Sequence, residues 1–173
     1  MLVQPQARFS LHTLLLWLML SGACIAEPLA GLKQVGEARL KVLFWNIYDS
    51  RLYSANGEYL QDSYPQALQL DYLRDIDAED LLKHTRDEWQ KLAVPKESAE
   101  RWLTQLKDIF PDIKEADQII LRVSEQGHSQ FYFNSQSIGL ITEPEFGSSF
   151  LRIWLDENSS YPNVRKQLIG QSK

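Results

Sequence analysis

The chain has 173 residues and a formal net charge of −5 at pH 7, and its lysines and arginines are scattered along the sequence. This length suits one domain with a sizeable core, and the absence of a basic stripe argues against a nucleic-acid partner. The single cysteine, Cys24, cannot form an intramolecular disulfide, so the fold must be held by its core.

Residues 1–26 have the character of a secretory signal peptide. Arg8 is their only fixed charge, residues 14–20 form a short apolar run, and residues 21–26 are mostly small. The run is shorter than the roughly 20 residues that a membrane-spanning helix needs. Cleavage after Ala26 would leave residues 27–173 as an exported, periplasmic domain with a charge of −6, because only Arg8 is lost.

An alternative for this segment is lipid attachment at Cys24. The stretch from Leu20 to Cys24 resembles a bacterial lipobox, although it has one residue too many between the leucine and the cysteine. Membrane contact is expected only in this case.

After residue 27, a turn at Gly36 is predicted to lead into one long strand that reaches Trp45 and continues, after a bend, through residues 48–54. Side chains alternate along a strand, so Arg39 would share one face with Lys41 and Trp45. Both faces carry apolar side chains, which is typical of a strand covered on both sides. Arg39 is therefore predicted to face a cleft.

The remaining elements follow in an α+β order. Residues 67–72 alternate as a second strand, and two amphipathic helices are predicted between Asp77 and Phe110. Residues 118–123 and 130–134 form a hairpin, and a short strand covers residues 137–141. Thr142 is the predicted cap of a further helix, and residues 162–169 form the last one. This order predicts an antiparallel sheet covered on one face by helices.

Three parts of this sequence carry a family resemblance. A G-x-x-R segment is followed by V/I-Y-x-x-x-L-Y, here Gly36, Arg39, Ile47, Tyr48, Leu52 and Tyr53, and the likeness continues through residues 71–76 and 137–141. The chain thereby resembles bacterial chalcone-isomerase-like proteins over most of residues 27–173. The resemblance implies an open-faced β-sandwich.

Enzymes of this family are understood to close a ring with an arginine and a network of hydroxyl and amide side chains. Arg39 matches the arginine, but residues 43–47 contain no threonine, and Ile153 lies near the position of a late family threonine. Leu81 and Glu88 lie near the positions of the family tyrosine and asparagine. The resemblance therefore implies no catalytic residue here, and isomerase activity is the alternative.

A second branch of the family, in plant plastids, resembles a set of fatty-acid binders whose arginine receives the ligand carboxylate. This branch implies a non-catalytic domain that binds a small amphipathic anion, such as a fatty acid, with Arg39 at the cleft. Aromatic residues would supply the apolar walls: Trp45, Trp102, Phe146, Phe150 and Trp154.

Three other interpretations stand beside this one. The aromatic residues at helical spacing are also typical of a core, and Arg39 can pair with Glu37 or with an acid on a neighbouring strand. The fold can also serve as a partner-binding module of the cell envelope, which an exposed apolar patch would indicate. His84 and His128 have no second metal ligand nearby at a suitable spacing, so neither a metal nor a cofactor is expected, and the oligomeric state is left open.

Overall fold

The computed structural model describes residues 27–171. The predicted signal peptide and Cys24 lie outside the described residues. Within residues 27–171, none of the helices combines the length and the apolar character that crossing a bilayer requires.

Six strands form one antiparallel sheet in the order of the sequence. They are β1 (Lys33–Val42), β2 (Trp45–Ser54), β3 (Gln66–Tyr72), β4 (Gln118–Val123), β5 (Ser129–Phe133) and β6 (Gln136–Ile141). The helices are α1 (Ala78–Lys91), α2 (Lys96–Ile109), α3 (Pro144–Leu155) and α4 (Pro162–Leu168). The predicted α+β fold with an open antiparallel sheet is confirmed.

The core lies between the sheet and the helices. On β1 and β2 the residues that face it alternate with exposed ones, so that Leu40, Tyr48 and Leu52 are buried. The opposite face, which we call the open face, carries charged side chains on β1, β2 and β3. Near β4 the open face is also contacted by the segment before β1, because Arg122 donates hydrogen bonds to the carbonyls of Pro28 and Ala30 at 2.8 and 3.0 Å.

The predicted single long strand is wrong, because the chain reverses inside it. β1 ends at Val42, and Val42 lies opposite Trp45 across a loop of two residues, with Leu43 at a φ of 53°. The run lacks the Asn-Gly or Asp-Gly signal typical of such loops, and strand-forming residues suit two paired strands as well as one. We call residues 42–45 the hairpin tip.

A β-bulge next to the hairpin tip changes which residues share a face. Leu40 lies opposite Tyr48 and Lys41 lies opposite Asn46, which leaves Ile47 without a partner on β1. The expected alternation holds along β1 as far as Val42, which lines the same space as Leu40, but Trp45 lies opposite Val42 and does not share the face of Arg39.

Gly36 lies within β1 and not in the turn that the sequence predicted. A β-carbon at this position would lie 2.2 Å from the carbonyl oxygen of Gln167 and 2.6 Å from that of Leu168. Both atoms belong to the end of α4 and to its backbone, so the absence of a side chain lets α4 pack directly on β1.

The N-cap residue of α3 is Glu143 and not the predicted Thr142, and the Glu143 side chain makes no hydrogen bond to the helix backbone. Glu143 precedes Pro144, the first residue of the helix. Its carboxylate accepts hydrogen bonds from three side chains of α2: Arg101 (2.9 Å), Trp102 (2.8 Å) and Gln105 (2.8 Å). The bond from Arg101 contributes most to lowering the pKa of Glu143, and the three bonds hold α2 against α3.

We expect Gly36→Ala to destabilise the domain by about 1 to 3 kcal/mol, the usual range for overpacking, because the neighbouring atoms are backbone and cannot rotate away. Urea unfolding measures this loss of free energy. Gln34→Ala, at an exposed position of the same strand, is the control and should leave stability nearly unchanged. Equal stability of the two variants would contradict the close packing of α4 on β1.

Candidate functional site

Arg39 lies on the open face and forms an ion pair with Asp49, the residue directly opposite on β2. Its Nε and Nη2 atoms donate to the two carboxylate oxygens at 2.6 and 2.8 Å. The hydrogen bond from Arg39 is the main cause of the lowered pKa of Asp49. The sequence leaves two arrangements for Arg39, in a cleft or in an ion pair with an acid. The structure has the ion pair, with the acid on the neighbouring strand, and the Arg39 side chain is 53% exposed.

The ion pair belongs to a wider polar network on the open face. Arg51 pairs with Asp71 and lies 3.5 Å from Glu37, and Gln118 donates to Asp71 at 2.7 Å. A groove of about 310 Å³ beside this network is lined by charges of both signs, including Arg39 and Asp49. The groove is lined by charged side chains that already pair with one another. It therefore offers little apolar surface to an apolar ligand.

Four of the five predicted wall residues lie together in the core. Phe146 and Phe150 stack with ring centroids 5.6 Å apart, and Trp154 follows at 5.5 Å from Phe150. Trp102 meets Phe146 edge to face at 5.7 Å. Their burial and mutual packing are those of a core cluster.

Trp45, the fifth, is separate from this cluster. It lies in the hairpin tip with 62% of its surface exposed. The Arg74 guanidinium stands over its ring, 4.8 Å from the centroid, which is a cation–π arrangement. The structure therefore brings neither Arg39 nor Trp45 to the other four residues.

A different site opens between the sheet and α1, and we call it the apolar cleft. Its outer part has a volume of about 310 Å³ and is lined chiefly by apolar and aromatic side chains, including Leu40, Val42 and Ile76. An inner cavity of about 50 Å³ reaches Phe150 and Trp154. Both spaces share four lining residues, so these side chains separate the two: Tyr48, Tyr72, Leu81 and His84.

Two tyrosines line both spaces of the cleft, together with Asp80 in the outer space and Thr85 in the inner one. Tyr48 accepts a hydrogen bond from the Trp154 indole at 2.8 Å, and burial raises its pKa well above the ordinary value. Tyr72 packs edge to face on Tyr48 at 5.7 Å, and burial likewise raises its pKa. The Tyr72 hydroxyl has no hydrogen-bond partner among residues 27–171, so it is a neutral donor that a ligand can use.

The mouth of the cleft lies at His84 and Tyr161, whose Nε2 and hydroxyl oxygen are 3.4 Å apart. The His84 ring is open to solvent on one side, and its partial burial lowers its pKa, which favours the neutral imidazole. One helical turn further along α1, Glu88 is buried. Its Oε1 accepts from Lys91 at 2.7 Å, and its Oε2 has no partner among the described residues.

The sequence interpretation did not single out these cleft residues. Tyr48 and Tyr72 appeared in the quoted segments, but what joins them is the strand register, in which they lie opposite each other on β2 and β3. His84 was considered only as a metal ligand, and it is exposed on α1. Its position at the cleft mouth depends on how α1 crosses the sheet, which the helical period alone does not specify.

Comparisons with known proteins agree with this architecture. A family model described as chalcone isomerase-like matches residues 32–170. The chain belongs to the chalcone isomerase-like family. An uncharacterized protein of Haemophilus influenzae is 24% identical over 148 residues, which are 86% of this chain and 73% of that protein.

The crystal structure of a fatty-acid binding protein of Arabidopsis thaliana has a similar fold, with a TM-score of 0.62 and 12% identity. The match covers 82% of this chain and 88% of that one. At this level of identity the likeness establishes the shared fold, and the ligand of the plant protein belongs to that protein.

We expect Arg39→Met to return the pKa of Asp49 toward the ordinary value of about 3.9. Because the folded-state pKa is lowered, the ionised Asp49 stabilises the fold above the unfolded pKa, and this contribution is lost as the pH falls through the folded pKa. The variant should therefore melt slightly below the wild type at neutral pH, and the difference should vanish in acid.

An NMR titration of the Asp49 carboxyl, with melting curves across the same pH range, measures both effects. Lys41→Met removes an exposed cation from the same strand that makes no ion pair among residues 27–171, and it should leave Asp49 unchanged. An unaltered Asp49 titration in Arg39→Met would contradict the ion pair.

Proposed function

We propose that this chalcone isomerase-like domain binds a small amphipathic molecule in the apolar cleft, with a fatty acid as the first candidate, and does not act on it chemically. The observation that carries this proposal is the cleft itself, an apolar space between sheet and helices with a few polar groups converging at one end. The fatty-acid binding protein with the similar fold makes an acyl chain the natural first ligand to test.

The polar groups favour a particular orientation of the ligand. The apolar tail would lie among Leu40, Ile76 and Leu81, and the head would meet the hydroxyls of Tyr72 and Tyr161 with His84. No arginine or lysine lines either space of the cleft among the described residues, whereas Asp80 lines the outer one, so the head would be held by neutral donors and a protonated or uncharged head is favoured over a carboxylate. The volume is near the lower end of ligand sites, which span about 300 to 1,000 Å³, and this favours a short or medium acyl chain.

The position of Arg39 argues against the isomerase alternative. Ring closure by a phenolate needs donors or a cation directed at the developing negative charge. Arg39 carries the family resemblance to the enzymes, and it lies on the open face in an ion pair with Asp49.

The proposal includes export of the domain, because the residues before Glu27 have the pattern of a signal peptide. We expect the mature protein from its native host to begin at Glu27, and intact-mass spectrometry measures this directly. A mass corresponding to an acylated Cys24 would replace this prediction with a lipid anchor.

We expect Leu81→Trp to weaken fatty-acid binding because the larger ring fills the cleft between Tyr48 and Tyr72. Excluding two or three methylene groups of the ligand at about 0.8 kcal/mol each costs about 2 kcal/mol, or roughly a 30-fold loss of affinity. Native mass spectrometry for co-purified lipid and calorimetric titration with decanoic acid measure the effect.

Two matched variants accompany this test. Lys83→Trp adds the same ring to an exposed position of α1, and Arg39→Met removes the cation of the open face. Both should bind decanoic acid like the wild type. Unchanged binding in a folded Leu81→Trp protein would refute the cleft as the site, and a tenfold or greater loss in Arg39→Met would return the site to the open face.

A further inference from the structure

The hairpin tip exposes four consecutive apolar side chains. The exposed fractions are 42% for Val42, 84% for Leu43, 90% for Phe44 and 62% for Trp45. Leu60 and Leu140 are also exposed, but each lies singly in its own loop or strand. A contiguous exposed apolar patch marks a surface that contacts something else, whereas single exposed residues need no explanation.

The turn itself does not require these residues. Leu43 has a φ of 53°, a conformation that asparagine or glycine adopts at lower cost than leucine. Neither Leu43 nor Phe44 packs on the core. Leucine and phenylalanine at the two loop positions therefore contribute little to folding, which points to a use outside the fold.

Two cations flank the hairpin tip. Lys41 is exposed on β1, and Arg74 stands over the Trp45 ring. Within residues 27–171 neither of them forms an ion pair, although acidic residues outnumber basic ones in the chain. Exposed tryptophan and phenylalanine beside lysine and arginine suit the interface of a bilayer, where aromatic rings lie at the headgroup level and cations meet lipid phosphates.

The hairpin tip also borders the outer part of the apolar cleft. Val42 lines the outer part of the cleft and is at the same time the first residue of the hairpin tip. Its partner across the loop is Trp45, and residues directly opposite on antiparallel strands project to the same side of the sheet. A surface that receives the tip would therefore lie beside the outer part of the cleft, which His84 and Tyr161 at the mouth also line.

We propose that the hairpin tip inserts into the headgroup region of a lipid bilayer and places the mouth of the apolar cleft against that bilayer. An amphipathic lipid can then pass between bilayer and cleft without its tail crossing water. The passage of lipid depends on the ligand binding proposed above, whereas the insertion of the tip does not.

The test is flotation of the purified domain with vesicles of phosphatidylethanolamine and phosphatidylglycerol, without added fatty acid. The double variant Leu43→Ser with Phe44→Ser removes the two most exposed apolar side chains. We expect it to bind vesicles at least about tenfold more weakly than the wild type, because each of these side chains leaves water on insertion.

The matched control is Leu60→Ser with Leu140→Ser, which removes two exposed leucines away from the hairpin tip and should bind vesicles like the wild type. All variants should keep the melting temperature of the wild type, since every altered side chain is exposed. The tip variant should also keep its affinity for decanoic acid in solution, which supports separate roles for the tip and the cleft.

Two results would overturn the docking proposal: no vesicle binding by the wild type, or equal binding by the tip variant. Sedimentation showing a dimer that the tip variant abolishes would likewise overturn it, by assigning the tip to a second copy of the chain. The ligand-binding proposal fails on a different result. That result is unchanged binding of decanoic acid by the Leu81→Trp variant, and it does not depend on the outcome with vesicles.

Discussion

The pairing register of β1 with β2 is the constraint on which the other features depend. It sets Arg39 opposite Asp49, Leu40 opposite Tyr48 and Val42 opposite Trp45. These three pairs respectively form the ion pair of the open face, one wall of the apolar cleft and the base of the hairpin tip. A slip of one residue would exchange the two faces of β2, moving Tyr48 to the charged face and Asp49 into the core. The β-bulge at Ile47 and the close packing of α4 at Gly36 both fix this register.

The sequence was sufficient for the fold class and insufficient for the site, and the difference has a physical cause. Helices α1 and α2 and the hairpin of β4 and β5 have strong periodic patterns with recognisable ends, so their places could be predicted. The reversal at Leu43 and Phe44 could not, because strand propensity is the same for one long strand and for two paired ones. Which acid faces Arg39 depends on the cross-strand register, and alternation within a single strand carries no information about that.

The aromatic cluster illustrates why residue type alone does not identify a binding wall. Trp102 and Phe146 pack fully against other rings, whereas Phe150 and Trp154 also border the inner cavity. The indole of Trp154 in addition donates to the Tyr48 hydroxyl and so joins α3 to β2 across the core. The same side chains thus stabilise the domain and shape the cleft, which is a reason to expect that the cleft exists before a ligand arrives.

The hydrogen bonds from Arg122 to the carbonyls of Pro28 and Ala30 determine on which side of the sheet the domain begins. Leu121, the neighbour of Arg122, lines the inner cavity, so Arg122 and the segment that it holds lie on the opposite side. An affinity tag or a fluorescent protein fused ahead of Glu27 would therefore emerge from the face away from the cleft. Immobilising the domain through that end would leave the entrance at His84 and Tyr161 directed away from the support.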